Sequence, residues 1–109
     1  MIKGRAKGVA YEQALAKKFR ENGYPECVTA RFESKRTDDS GVDLCFLPIN
    51  VQAKAVEKLS PSLHDIISKM PNDKPRVVFH KRNRKGSIVA IEEEFFFELL
   101  ELYDRFVLT

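Results

Sequence analysis

The chain has 109 residues, 43% of them apolar and 32% charged, which reads as a single globular domain spanning residues 1 to 109. No run approaches the roughly 20 apolar residues of a membrane span, and the opening MIKGRAKG lacks the apolar middle of a secretory signal. The formal charge of +3 is too small to imply a nucleic-acid partner by itself.

From Gly8 to Asn22 the pattern is helical. Tyr11, Leu15 and Phe19 recur four apart, and Gly23 stands where a C-terminal cap belongs. ECVTARFE, residues 26 to 33, has the composition of a strand. SKRTDDSG, 34 to 41, is a polar loop. A hairpin follows, with strands near 42–47 and 50–56. Cys27 and Cys45 lie in these strand-like segments without metal-site spacing, so they are expected to be buried, reduced thiols of a cytoplasmic protein. Ser60 before Pro61 signals the start of a helix that runs to Met70 and stops before Pro71. RVVFHK (76–81) and SIVAIE (87–92) are strands joined by an RNRKG turn, and a helix with acids in its first turn runs from Glu93 to Val107. The order α-β-β-β-α-β-β-α describes one α/β domain.

Charge is unevenly placed along this order. Lys3, Arg5 and Lys7 lie in the N-terminal arm, Lys35 and Arg36 in the polar loop, and KRNRK fills 81 to 85. Acids gather instead in the last segment, at Glu92, Glu93, Glu94, Glu98 and Glu101. Segregation of this kind favours a polyanion as partner.

The last helix is too apolar for one buried face. Phe95, Leu99, Leu102 and Phe106 form one stripe and Phe96, Leu100, Tyr103 and Val107 the next. Together they span roughly 160° of the wheel. A homodimer built on this helix is the expectation. The alternative is a helix sunk between the sheet and the first helix.

Four polar residues sit where apolar ones would be ordinary. Gln52 and Lys54 share one face of their strand, with Val51, Ala53 and Ala55 on the other. If the hairpin pairs, Asp43 stands beside Gln52 and Lys54. Glu12 falls at the edge of the helical stripe that must face the sheet, where a lone carboxylate is costly unless a charge or a metal meets it. Oxygen ligands of this kind suit Mg²⁺ or Mn²⁺. Arg31 reads either as an ion-pair partner of Glu33 or Asp43 or as a phosphate contact.

This ordered set resembles the signature of the PD-(D/E)XK nuclease superfamily. That superfamily carries an acid on its first helix, an Asp at a strand start and Glu/Gln-x-Lys on the adjacent strand. The matching residues are Glu12, Asp43 at the end of GVD, and Gln52 to Lys54. Within the superfamily the chain is most similar to the small Holliday junction resolvases of archaea and phages, through Lys7-Gly8, Glu12, Gly23 and Arg31. The resemblance covers residues 3 to 56, and beyond them only the order of elements. Gln52 departs from the usual Glu and looks more like restriction nucleases that attack methylated DNA.

The resemblance implies a restriction-endonuclease-like core, a central mixed sheet flanked by helices. It implies Mg²⁺- or Mn²⁺-dependent cleavage of four-way DNA junctions by a homodimer in a bacterial, archaeal or phage-infected cell. Asp43, Gln52 and the Ala53 carbonyl would hold an ion, with Glu12 binding it or a second one. Lys54 would orient the attacking water. Ser34 or Ser40 would supply the serine that precedes the strand Asp. Lys3, Arg5, Lys7, Arg31, Lys35, Arg36, Arg82, Arg84 and Lys85 would contact DNA. Two alternatives are a restriction or repair nuclease of the same superfamily, and a DNA-binding module with a weakened metal site.

Overall fold

Helix α1 (Lys3–Glu21) begins five residues before the expected Gly8. Lysine, arginine and alanine favour helix, and one interior glycine costs only about 1 kcal/mol, so Gly8 is carried within it. The helix ends as predicted. Gly23 takes a φ of 104°, and the Tyr24 N–H reaches back to the Phe19 carbonyl at 3.0 Å, which closes the last turn. The computed structural model describes residues 3–33 and 40–108.

The strand expected over 26–33 is only β1 (Val28–Thr29), and the chain then winds into a short helix, α2 (Ala30–Glu33). The reason lies in its partner. Strand β2 (Leu44–Cys45) offers just two residues for antiparallel pairing, Val28 opposite Cys45 and Thr29 opposite Leu44. Backbone groups beyond that pair need other partners. The Ala30 N–H finds one in the Asp43 carbonyl at 2.7 Å.

The expected hairpin is also modified. Strand β3 (Asn50–Lys54) runs parallel to β4 (Arg76–Arg82), which pairs antiparallel with β5 (Gly86–Ile91). Rather than continuing a ladder from β2 to β3, Asp43 donates its N–H to Val51 at 2.7 Å and turns its carbonyl to Ala30. A regular strand residue sends both groups to one side, so the chain is kinked at Asp43. The result is a small mixed sheet with helices on both faces.

Parallel strands need a crossover, and helix α3 (Leu63–Lys69) lies within it. Ser62, not Ser60, is its N-cap, with the Ser62 hydroxyl accepting from the Asp65 N–H. Serine followed by an acid three residues later is the capping-box pattern, and Pro61 falls before the helix rather than at its first position. The core divides accordingly. Tyr11, Leu15 and Ala16 of α1 pack with Val51 and Ala53 on one face of the sheet. Ile66 and Met70 pack with Val42 and Val78 on the other.

Helix α4 (Glu93–Tyr103) has no buried residue and continues into a π-helical turn, Asp104–Leu108. Phe96, Phe97, Leu99, Leu100, Leu102 and Tyr103 are all exposed, while Phe95 is half-buried. The alternative of a helix sunk between sheet and α1 is thereby excluded. Arg76 grips Glu92 at the root of α4 with two hydrogen bonds of 3.0 and 2.8 Å, which holds the Glu92 carboxyl below its ordinary range. The molecule is elongated, 51 Å by 29 Å by 26 Å. No described helix is long and apolar enough to cross a membrane.

Candidate active site

Asp43 is the centre of the arrangement. It is buried, and one carboxylate oxygen accepts the Ala53 N–H at 2.7 Å and the Gln52 amide at 3.3 Å. Its backbone is held by Val51 and Ala30 on opposite sides. The kink that breaks the hairpin therefore aims the Asp43 side chain along the edge of β3. Because N–H and C=O of one strand residue leave on the same side, the Ala53 carbonyl leaves β3 on the edge that its N–H presents to Asp43. The sequence expectation that Asp43 and Gln52 stand together is met.

Gln52 and Lys54 emerge on the α3 face, opposite the α1 face that buries Val51 and Ala53. With Ser40, Gly41, Pro61, Ile66 and Lys69 they line a cavity of about 350 Å³. Ser40, one of the two serines considered, lines this cavity. Ser34, Lys35 and Arg36, with the side chain of Lys3, lie outside the described residues. Gly41 is required here twice over, since its φ is 87° and an added Cβ would come within 3.3 Å of the Gln52 amide oxygen.

Lys69 had no signal in the sequence. It ends α3, an exposed position where a cation suits the helix dipole. Only the packing of α3 against the sheet places it opposite Lys54. Among the described residues neither lysine has an acidic partner. Two unpaired ammonium groups in one cavity suit an anionic ligand such as a phosphate diester.

Glu12 is buried on α1, and its charge is met by Arg31. The guanidinium donates to both carboxylate oxygens, at 2.8 and 3.0 Å. Glu12 is a partner of Arg31 beyond those considered from the sequence, Glu33 and Asp43. Arg31 reaches Glu12 because α2 rotates it away from a strand direction. Truncating Arg31 would leave the Glu12 carboxylate, 5% exposed, without its partner. Arg31→Ala is expected to cost about 3 kcal/mol in chemical denaturation, the low end for a broken buried pair, because the arginine side is partly solvated. A loss below about 1 kcal/mol would mean that water replaces the guanidinium.

The two remote basic clusters meet in space. Lys7 near the start of α1 donates to the Asn83 side chain in the β4–β5 turn at 2.8 Å. Arg5, Lys7, Arg82, Arg84 and Lys85 are all exposed, around this junction of α1 with the turn. Arg82 is tied loosely to Glu57, at 3.8 Å.

A hard cation fits the oxygen set of Asp43, Gln52 and the Ala53 carbonyl. The fit needs the Gln52 amide to turn over, since it now presents its nitrogen to Asp43 and its oxygen toward Gly41. Among the described residues no group of three or more His, Cys, Asp or Glu side chains is placed to hold a metal. In such a set Asp43 would supply the only charge, and amide and carbonyl oxygens the rest. Comparison of the chain with protein-family models, with curated proteins and with solved structures finds no match in any of the three.

Proposed function

We propose that the chain is a divalent-metal-dependent DNA endonuclease with a restriction-endonuclease-like core, acting on branched DNA such as a four-way junction. The observation that carries this reading is the convergence at one edge of β3. The buried Asp43 carboxylate accepts from Gln52 and from the Ala53 N–H, and Gln52 lines one cavity together with Lys54 and Lys69. Binding alone needs cationic surface; it has no use for a buried Asp hydrogen-bonded to Gln52 of the cavity wall.

Asp43, Gln52 and Ala53 would hold Mg²⁺ or Mn²⁺. When bound, the ion would lower the pKa of a water and offset charge on the phosphate. Lys54, about 7 Å along the strand from Gln52, would orient that water and offset negative charge developing on the phosphorane. Lys69 would hold the phosphate from the far side of the cavity, and Ser40 would donate to a phosphate oxygen. Glu12, with both oxygens engaged, positions Arg31. The surface around α1 and the β4–β5 turn would hold DNA arms by their backbones, which gives affinity without reading sequence. Two symmetric cuts would come from a homodimer formed through α4.

The second reading, a DNA-binding module with a weak metal site, draws on the pairing of Glu12 with Arg31 and on Gln52 in place of an acid. Cleavage of labelled four-way junction, duplex and flap DNA with Mg²⁺ and then Mn²⁺ separates the two. Junction cutting supports the first reading. Tight binding without cutting under either metal supports the second.

Gln52→Glu probes the site without DNA. The new carboxylate would stand close to that of Asp43, and adjacent like charges repel unless a cation lies between them. The variant is expected to melt below wild type in EDTA and to gain more than wild type from added Mg²⁺, by linkage of metal binding to folding. Equal metal-induced shifts in Tm would remove Gln52 from the ligand set.

A further inference from the structure

On the opposite face of the sheet, α1 and the β4–β5 turn enclose a second cavity of about 330 Å³. At roughly 30 Å³ per water it has room for on the order of ten waters, enough for a phosphate group with part of its hydration. Its floor is apolar, formed by Ala55 and the buried Tyr11, whose phenol bonds the Ser87 hydroxyl. Its rim is cationic. Lys7 is drawn in by Asn83, and Lys81 lies over the Tyr11 ring with its ammonium 6.0 Å from the centroid. Arg82 completes the rim, and Glu57 is its sole acidic neighbour among the described ion pairs. Lys7 and Lys81 have no acidic partner there.

The position of this cavity relative to the first is the decisive point. Lys54 lines the α3-side cavity, and Ala55, the next residue, lines this one. Consecutive Cα atoms are 3.8 Å apart and their side chains point to opposite faces. Two cationic cavities therefore sit back to back across the C-terminal end of β3. We infer that the α1-side cavity is a second phosphate-binding site, taking a DNA-backbone phosphate of the strand that passes round the end of β3 from the α3-side cavity. The DNA source rests on the endonuclease reading, whereas the phosphate chemistry does not.

Two measurements on the whole chain test this. In the first, inorganic pyrophosphate is titrated into ¹⁵N-labelled protein without metal. Saturable shifts are expected at the amides of Lys7, Lys81 and Asn83, and are expected to be lost in Lys81→Gln, which removes the charge but retains most of the stem over Tyr11. The second compares binding of a labelled four-way junction across salt concentrations in EDTA. Each phosphate contact contributes a slope of about −0.9 to log K against log salt. Lys81→Gln is expected to flatten the slope by about one contact and to weaken low-salt binding about tenfold. Lys17→Ala, about 15 Å further along α1 than Lys7, removes an equal charge away from the cavity and is expected to leave the slope in place. Equal effects from the two variants would overturn the site in favour of diffuse attraction, as would pyrophosphate shifts confined to Lys54 and Lys69. Pyrophosphate bound at the cavity by a protein with no affinity for DNA would retain the phosphate site, assign it to a free phosphate ligand, and reject the endonuclease reading.

Discussion

Asp43→Asn is expected to lower the rate of junction cleavage by about 10³-fold or more, equivalent to roughly 4 kcal/mol of transition-state stabilisation, while the protein stays folded and binds the junction. The two hydrogen bonds that the Asp43 side chain makes to β3 can survive the substitution. A single carboxylate oxygen accepts from both Ala53 and Gln52, and an asparagine oxygen in that place accepts the same two donors. The backbone bonds to Val51 and Ala30 do not involve the side chain. What disappears is the charge that would bind the metal. Affinity should persist, since it would come from phosphate contacts on the basic surface around α1 and the β4–β5 turn. Lys54→Ala should behave likewise, because Lys54 holds no acidic partner whose loss would disturb the fold. Cleavage is read on a labelled four-way junction with Mg²⁺, folding by thermal melting and binding by anisotropy. Wild-type cleavage by either purified variant would sink the mechanism.

The second large effect concerns assembly. Light scattering at micromolar concentration is expected to return twice the 12.5 kDa of one chain. Apolar side chains from Phe96 to Val107 are exposed over more than one stripe of α4 and its terminal turn, Phe106 at 75% and Val107 at 61%. A small domain does not leave so wide an apolar surface uncovered without an interface to use it. Two-fold pairing of this helix covers it with an identical helix. Phe96 and Phe97 pack edge to face, with centroids 5.4 Å apart, and in a dimer would form an aromatic anchor of the kind that dominates interfaces. Phe96→Glu puts a charge into that contact. A loss of about 2 kcal/mol or more for a central aromatic is at least a thirtyfold weaker Kd, so the variant is expected at the mass of one chain. Because no residue of α4 is buried within the protomer, the substitution should leave its melting otherwise intact. A wild-type mass of one chain would reject the dimer and with it the source of paired cuts.

The amino-acid sequence determined what depends on local pattern. The period of Tyr11, Leu15 and Phe19 and the Gly23 stop placed α1, and the alternation of Val51 and Ala53 with Gln52 and Lys54 assigned the two faces of β3 correctly. Those are backbone properties set within a few residues. Strand extent was not legible in the same way. ECVTARFE has strand composition throughout, but β1 lasts only as far as β2 offers partners, and a strand cannot outrun its ladder. Glu12 was legible as a buried acid needing a counter-charge, but its partner was not. Arg31 became that partner only when α2 replaced the strand and turned it toward α1. Lys69 joined Gln52 and Lys54 through the packing of α3 on the sheet, Ser40 reached the same cavity from the segment before β2, and Lys7 met Asn83 across 76 residues of chain. The width of the apolar arc on α4 could be read from spacing, whereas its exposure followed from the sheet already having α1 and α3 on its two faces. Local propensity acts along the chain, but which charges become neighbours is decided by burial and by pairing between segments far apart in it.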